Sequence, residues 1–428
     1  MKVLIIGGGG REHALAWKIN QSPLLEELYI APGNAGTATI AKNITLNVKD
    51  FGSIRDFVLQ EAVNLVIVGP EAPLVDGLKD FFDEDDALHH IPVFGPGKQG
   101  ARLEGSKDWA KQFMQKHHIP TAGYQTFGKD ELEKALSYLE KIQPPYVLKA
   151  DGLAGGKGVV ICEDLKQAAG EITAMLREAK FGEASSKVVI EEFLKGIELS
   201  VFVITDGTTY RMLPAAKDYK RVGERDTGLN TGGMGSVSPV PFADKAFMNK
   251  VEECIVAPTI KGLKQENIDY KGFIFFGLMN VDNEPYVVEY NVRMGDPEAE
   301  SVIPRIQSDL LELIEAAAKG KLVNKSVEID PRYSTSIMLV SGGYPGKYPK
   351  GKRISGLESV SENIVFHAGT KLEDDQTVTS GGRVIAVTGI DESLDNALEK
   401  AYRGCKVIDY EGKYYRKDIG RDLIKYLK

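Results

Sequence analysis

Short apolar runs alternate with helix-patterned segments over the first hundred residues. Residues 3–6, 28–30, 65–68 and 92–94 have the length and composition of buried strands. Residues 11–20 and 51–62 carry apolar positions at helical spacing between them. This alternation predicts a doubly wound parallel sheet. Glycine- and proline-rich turns follow the strands, and such turns meet at one sheet edge, where ligands bind.

The pattern changes near Ser106, which we expect to cap a helix. We predict helices over 130–142, 165–179 and 309–318, the last capped by Ser308. Strands are predicted over 146–149, 159–162, 188–193 and 199–205. Residues 273–280 and 286–291 are predicted to form a hairpin that turns at 282–284. The last hundred residues are strand-rich. The predicted fold is therefore α/β and α+β multidomain. Its units are an N-terminal doubly wound domain (1–105), a two-lobed core (106–325, with a flexible lid at about 121–190) and a strand-rich C-terminal domain (326–428).

Composition narrows the class of protein. Of the 428 residues, 43% are hydrophobic and 27% charged, as in an ordinary globular chain. The net charge of −8 disfavours nucleic acid as a partner. No apolar run approaches a membrane span or a signal-peptide core, and the three cysteines form no CxxC pair. We expect a cytoplasmic protein with reduced thiols, bound neither to membrane nor to nucleic acid.

Three familiar motifs fail. A dinucleotide-binding GxGxxG would need glycine where Glu12 stands. Residues 152–158 are one position short of a Walker A loop and place Gly158 where Ser or Thr should bind magnesium. The six histidines show no metal-ligand spacing. The first helix can still hold a lone phosphate at its N-terminus, with Arg11 adding charge.

The sharpest chemical signal lies in residues 285–300. If this segment is a strand, Glu289, Asn291 and Arg293 share one face, about 6.5–7 Å apart. The first two offer hard oxygens to Mg²⁺, and Arg293 can clamp a carboxylate or a phosphoryl group. A structural cross-strand salt bridge is the alternative.

Two further segments suit a nucleotide. In residues 145–160, Lys149 ends an apolar strand, and a loop with four glycines and Lys157 can close on phosphate oxygens; a hairpin with solvated lysines is the alternative. In residues 188–200, the backbone at Glu192 and Leu194 could contact adenine, and Glu198 could accept from ribose hydroxyls. An acidic, solvated edge strand is the alternative there.

Residues 217–239 form a long polar segment with a TGGMG core at 231–235. A loop of this length in a compact domain is usually functional or disordered. We interpret its amides as donors for a small carboxylate or an acyl phosphate.

These motifs together resemble the phosphoribosylamine–glycine ligase (glycinamide ribonucleotide synthetase) family of the ATP-grasp superfamily. The resemblance extends over nearly the whole chain and is carried by GGREHALAW (9–17), APGNAG (31–36), GPEAPLVDG (69–77), NTGGMG (230–235) and VRMGDPE (292–298). It implies an ATP-grasp core and a carbon–nitrogen ligase of purine biosynthesis. ATP, glycine and 5-phosphoribosylamine would give glycinamide ribonucleotide, ADP and phosphate through glycyl phosphate. It also implies Mg²⁺, with Mn²⁺ as an alternative, and small-molecule partners only; we expect a monomer.

The resemblance also implies roles for residues of this chain. The implied ATP-binding residues are Lys107, Lys149, Gly155, Gly156, Lys157, Gly158, Glu191, Glu192, Phe193, Leu194 and Glu198. Those for phosphoribosylamine are Gly9, Gly10, Arg11, Glu12, Asn34, Gly69, Pro70 and Glu71, and those for glycine are Asp218, Lys220, Gly232, Gly233 and Met234. Glu289 and Asn291 would bind the metal. Arg293 would stabilise the acyl phosphate, and Asp218 and Asp296 would share, in a division left open, the glycine ammonium and the amine proton.

Some features depart from the family pattern. Many ATP-grasp enzymes carry a further metal-binding acid on the preceding strand, whereas residues 273–280 have none. Tyr219 and Leu229 stand where the family often has His and Pro. The rival interpretations are another ATP-grasp ligase or carboxylase acting on a different ribonucleotide, a non-catalytic nucleotide sensor, and a dehydrogenase.

Overall fold

The computed structural model describes residues 1–153, 158–178 and 180–427. Its N-terminal part consists of β1 (Lys2–Gly7), α1 (Gly10–Ile19), β2 (Glu27–Pro32), β3 (Lys42–Asn43), α2 (Phe51–Gln60), β4 (Leu65–Val68), α3 (Glu71–Asp76), α4 (Leu78–Glu84), β5 (Val93–Phe94), α5 (Lys98–Gly105) and α6 (Lys107–Lys116). The strands pair in parallel in the order β3-β2-β1-β4-β5, which confirms the predicted sheet. Alternate residues of β1 enter two different hydrophobic clusters, so both faces of the sheet are covered.

The next part is a small lobe with its own core. It contains β6 (Tyr124–Gly128), α7 (Leu132–Leu139), β7 (Tyr146–Ala150), β8 (Val159–Cys162), α8 (Leu165–Glu178) and β9 (Lys187–Glu192), with the sheet order β6-β9-β7-β8. Phe127, Leu148, Ile172 and Ile190 belong to a hydrophobic cluster that the rest of the chain does not share. A lobe that buries its own apolar side chains can move as a body, as the predicted lid requires.

The central part follows with β10 (Ile197–Thr205), β11 (Tyr210–Met212), β12 (Lys217–Asp218), β13 (Arg221–Gly223), β14 (Thr227–Asn230), β15 (Gly235–Ser238), α9 (Lys245–Val251), α10 (Ala257–Gln265), β16 (Gly272–Val281), β17 (Glu284–Asn291), α11 (Ala299–Val302) and α12 (Leu310–Ala318). A sheet in the order β11-β10-β16-β17 carries the predicted hairpin. Its turn is Asp282-Asn283, both at positive φ as a tight hairpin turn demands. Glu284 belongs to the strand, so the predicted turn was one residue too long.

Two local predictions were wrong. The cap of α12 is Asp309 rather than Ser308, because the Asp309 carboxylate accepts from the Leu311 and Glu312 amides at 2.9 and 3.2 Å. The segment 217–239 is not a plain loop: β13 and β14 form a hairpin, while β12 and β15 pair with each other.

The C-terminal part contains β18 (Tyr333–Val340), β19 (Ile364–His367), β20 (Thr370–Glu373), β21 (Gln376–Thr379), β22 (Arg383–Asp391) and α13 (Leu394–Val407). Its main sheet has the order β12-β15-β18-β22-β19. Two strands of the central part therefore complete the C-terminal sheet, and this pairing brings the TGGMG segment against β22.

Across the described residues, we find no helix with both the length and the apolar composition needed to cross a membrane.

Candidate active site

The end of β17 places an acid and an amide side by side. Glu289 pairs with Gly277 and Asn291 with Phe275 across the hairpin, and no irregularity separates them, so both side chains leave the same face. A bulge precedes them: Val288 has no partner in the register, and its carbonyl accepts from the Lys149 ammonium at 2.9 Å.

Arg293 lies beyond the last residue of β17 and faces the N-terminal part. Its guanidinium donates to Glu104 at 2.6 Å and lies 3.5 Å from Glu71. Burial raises the pKa of Glu104 although Arg293 opposes the shift. Burial likewise lowers the pKa of Lys107, which both Glu289 and Glu104 counteract. The Lys107 ammonium is thus within electrostatic range of Glu289 and of the Arg293 ion pair, in one cleft.

A buried ion triplet lies under the predicted nucleotide site. Glu191 is 2.8 Å from Lys149 and 2.9 Å from Lys111, and all three side chains are at most 5% exposed. Burial alone would raise the pKa of Glu191, but the two lysines outweigh it and lower the value. The Glu191 carboxylate therefore neutralises and orients Lys111 and Lys149 and is not free to contact ATP. Lys111 was missed by sequence reasoning, although an ammonium among the apolar positions of α6 was a usable signal.

Other predicted nucleotide residues lie around the lobe boundary. Glu192 ends β9 and donates its amide to the Gly123 carbonyl at 2.9 Å, and Phe193 is exposed. Leu194 follows outside any strand. The Gly158 carbonyl accepts from the Ala150 amide at 2.8 Å. Gly155, Gly156 and Lys157 lie outside the described residues.

An ammonium surrounded by acids lines a pocket between β10, β12 and β17. Lys220 is 2.7 Å from Glu198, and the pocket also exposes Asp218 and Glu289. Burial opposes the charge on Lys220, but Glu198, Asp218 and Glu289 together raise its pKa well above the ordinary value. Burial raises the pKa of Asp218, and Lys220 acts against that shift. The pocket lining offers both signs of charge, as a small zwitterion requires, but its free volume of about 10 Å³ holds no more than one water molecule in this structure.

An acid missed by sequence reasoning, Glu298, lies behind this pocket. Glu298 is buried and accepts from the Ser200 hydroxyl at 2.9 Å. Burial, with Asp218 adding like charge, raises its pKa to about 7. Its presence in the VRMGDPE motif was the available signal. A carboxyl with this pKa can hold or release a proton at neutral pH.

The TGGMG amides already have acceptors within the protein. The Gly232 amide donates to the Tyr344 hydroxyl at 3.0 Å, the Gly233 amide to the Thr231 hydroxyl at 2.9 Å, and the Met234 amide to the Tyr219 carbonyl at 2.7 Å. Two side-chain hydroxyls and one backbone carbonyl thus hold the loop in place, so these three amides are not free to donate to a carboxylate or an acyl phosphate, contrary to the prediction from the sequence.

The N-terminal turn is held by two residues predicted to bind substrate. Glu12 accepts from the Gly9 amide at 2.6 Å, and Cβ atoms placed on Gly7 or Gly69 would lie within 2.5 Å of its side chain. The Asn34 amide donates to the Gly8 and His367 carbonyls at 3.0 and 2.8 Å. Both side chains build the turn.

The same turn leaves other groups facing the β17 end. Arg11 pairs with Glu12 at 2.7 Å and donates to the Met294 carbonyl at 3.2 Å. Burial would raise the pKa of Glu71, but Arg293 and Arg11 lower it. Glu71 opens α3, for which Pro70 is the cap. Gly9 and Gly10 begin α1 close to two acids: Cβ atoms built on them would lie 3.3 Å from Asp296 and 2.1 Å from Glu300.

The three parts of the chain match three models of one family in succession. These are the N domain (residues 1–104), the ATP-grasp (A) domain (105–299) and the C domain (334–422) of phosphoribosylglycinamide synthetase. The chain belongs to the phosphoribosylglycinamide synthetase family.

Named relatives agree over full length. A phosphoribosylamine–glycine ligase of Fusobacterium nucleatum is 46% identical over 98% of both chains. The crystal structure of the Thermotoga maritima ligase superposes with a TM-score of 0.85 at 35% identity, covering 98% of this chain and 100% of that one. A Campylobacter jejuni biotin carboxylase, 17% identical with a TM-score of 0.73 over 99% of this chain and 95% of that one, shares the fold alone.

ATP-grasp enzymes use ATP with a divalent metal ion, and this site fits one. Glu289 and Asn291 offer oxygen ligands. The buried Asn291 Nδ2, which is a donor and not a metal ligand, has no hydrogen-bond acceptor among the described residues, which suits a phosphate oxygen beside the ion. A Cβ on Gly277 would lie 3.0 Å from the Glu289 Cγ, so the missing acid on β16 leaves room for that carboxylate. Within the described ranges no three His, Cys, Asp or Glu residues form a metal cluster.

Proposed function

We propose that this chain joins glycine to 5-phosphoribosylamine in two steps, through glycyl phosphate. Membership of the family makes it an ATP-dependent ligase of purine biosynthesis. The observation that carries the proposal is the β17 end, where Glu289 and Asn291 leave one face, Lys149 donates to the Val288 carbonyl, and the charge of Glu289 acts on Lys107. Carboxylate is a poor acyl donor, and transfer of the γ-phosphoryl group to glycine creates a leaving group. No covalent enzyme intermediate is needed.

The phosphate end of ATP would lie between Lys107, Lys149 and the glycine-rich loop of residues 152–158. Their ammonium groups neutralise the charge that develops during phosphoryl transfer. Glu289 and Asn291 would hold Mg²⁺ or Mn²⁺, which supplies further charge neutralisation when bound. Arg293 would donate to the acyl phosphate, since a fixed guanidinium recognises phosphoryl oxygens. The adenine would contact the backbone from Glu192 to Leu194, and Glu198 would accept from the ribose.

Glycine would bind in the pocket of Asp218 and Lys220. Lys220 can attract its carboxylate and Asp218 its ammonium, and the TGGMG loop would close the pocket. Phosphoribosylamine would bind in the crevice of Gly9, Gly10, Arg11, Gly69 and Glu71, with Glu12 and Asn34 shaping the turn. Asp296 lies beside that turn, which supports the proposal that it, rather than Asp218, takes the amine proton. We also propose that the enzyme acts as a cytoplasmic monomer.

Release of ADP, measured with glycine and phosphoribosylamine omitted in turn, tests the overall reaction. The intermediate is tested separately with hydroxylamine, which traps an acyl phosphate as a hydroxamate. We expect glycine hydroxamate to form from ATP and glycine without phosphoribosylamine. Activity with bicarbonate in place of glycine, or an absence of hydroxamate from an active enzyme, would contradict the proposal.

A further inference from the structure

Two side chains of the C-terminal part hold the backbone of one residue of the TGGMG loop, Gly232, through its two flanking peptide groups. Arg383, the first residue of β22, donates from Nη1 to the Gly232 carbonyl at 2.6 Å. Tyr344 accepts from the Gly232 amide at 3.0 Å. The backbone of Gly232 is therefore held from both ends by residues more than a hundred positions away in sequence.

The same guanidinium also binds the neighbouring acidic segment. Nη1 donates to the Asp296 carbonyl at 2.5 Å, and Nη2 lies 3.0 Å from the Asp296 Oδ1. The Arg383 side chain is 20% exposed, so these contacts are shielded from solvent. Arg383 thus links Gly232 to Asp296. Gly232 belongs to the TGGMG loop, which is predicted to bind glycine, and Asp296 lies beside the turn predicted to bind phosphoribosylamine.

The grip leaves no room for side chains in the loop. A Cβ on Gly232 would lie 2.9 Å from the Arg383 Cζ. A Cβ on Gly233, which has φ +121, would lie 2.3 Å from the Pro297 Cδ. Both glycines are therefore needed because the loop is pressed against Arg383 and the segment that carries Asp296.

We propose that Arg383, assisted by Tyr344, is a positioning residue that sets the distance between the TGGMG loop and Asp296. This inference rests on the proposed function, because it takes the loop as part of the glycine site and Asp296 as the group that faces the amine. One nitrogen of the guanidinium, Nη1, donates to the Gly232 and Asp296 carbonyls while Nη2 faces the Asp296 carboxylate. A lysine ammonium would have to serve all three acceptors from one nitrogen on a flexible stem, without the rigid fork.

The test compares Arg383→Ala and Arg383→Lys with a control, Arg421→Ala, which removes an exposed ion pair to Asp395. We expect Arg383→Ala to lower kcat/KM for glycine and for phosphoribosylamine by about 100-fold, with the KM for ATP within about twofold. Arg383→Lys should lose about tenfold. Millimolar guanidinium ion should restore activity to Arg383→Ala and leave Arg421→Ala unchanged. A proportional rise in the ATP KM, normal activity, or a folded Arg383→Ala that guanidinium does not rescue would overturn the inference.

Tyr344→Phe keeps the test decisive if Arg383→Ala does not fold. It removes only the acceptor of the Gly232 amide and should raise the KM for glycine several-fold at an unchanged KM for ATP; an unchanged glycine KM refutes the role of Tyr344 in the clamp. Failure of the proposed function has a different signature. In that case the unmodified enzyme itself would show no ADP release that depends on both glycine and phosphoribosylamine.

Discussion

Replacing Lys111 by methionine should stabilise the protein at neutral pH. The Lys111 ammonium is 2.9 Å from Glu191 and 2.7 Å from the Thr121 hydroxyl, yet its side chain is only 2% exposed. Burial lowers its pKa from 10.5 to about 8. At 1.36 kcal/mol per unit, keeping the charge costs about 3 kcal/mol. Loss of the Lys111 hydrogen bonds destabilises the variant by about 1 kcal/mol, so we expect its free energy of unfolding to rise by about 2 kcal/mol in total.

The pH dependence gives this prediction its sign. Between pH 8 and 10.5, Lys111 has lost its proton in the folded enzyme while the unfolded chain still holds it. The unfolded state then binds more protons, so the stability of the unmodified enzyme rises with pH across this window. Lys111→Met lacks this contribution. Its advantage should therefore shrink by about 2 to 3 kcal/mol between pH 8 and 10.

Urea unfolding at pH 7, 8 and 10 measures the difference between the two proteins. Lys116→Met, on the exposed face of the same helix, is the matched control and should show no such trend. A Lys111→Met protein that is less stable at pH 7 by a pH-independent amount would refute the reasoning, because Glu191 would then more than offset the burial of the ammonium. We also expect Lys111→Met to weaken ATP binding, since it removes positive charge beside Lys149.

Three further outcomes are expected. Glu289→Ala should lower metal-dependent ADP formation by about 1,000-fold in a folded enzyme, whereas Glu284→Ala, on the same strand, should be normal in the same assay; an active Glu289→Ala would contradict the metal assignment. Arg11→Ala should raise the KM for phosphoribosylamine by at least about tenfold, and equal effects on ATP would show that the crevice is misassigned. Burial lowers the pKa of His13 to about 3 and that of His367 to about 4. Below pH 6.5 the unfolded chain therefore binds more protons than the folded enzyme, and the free energy of unfolding decreases as the pH is lowered. Replacing His13 by glutamine should flatten that loss between pH 6.5 and 4 by up to about 3 kcal/mol in urea unfolding, and an identical slope would count against the buried neutral imidazole.

Local pattern was sufficient for much of the fold. The apolar runs of β1 and β4 predicted the parallel sheet, and their turns predicted where the crevice opens. By contrast, β3 has only two residues and offers no periodicity. The strands β12 and β15 could not be recognised in a polar, glycine-rich segment, because β15 pairs with β18, about a hundred positions away, and β12 pairs only with β15.

The site shows the same division. Glu289 and Asn291 could be predicted because strand alternation places them on one face, whereas Arg293, expected on the same face, lies beyond the strand and pairs with Glu104 and Glu71. Arg383 and Glu298 were missed because their partners are distant in sequence. For Glu12 and Asn34, a polar side chain beside a glycine turn has the same sequence signature whether it contacts a ligand or holds the turn.

The shared sheet has a consequence for dividing this enzyme. Cutting the chain before β18 would remove the neighbour of β15 and leave its backbone as a bare edge. It would also remove Arg383 and Tyr344. The fragment would keep the lobes predicted to bind the nucleotide but would lose the side chains that hold the TGGMG loop. Gene fusions and split reporters built on this scaffold are therefore better joined at the chain termini than before β18, between the central and C-terminal parts.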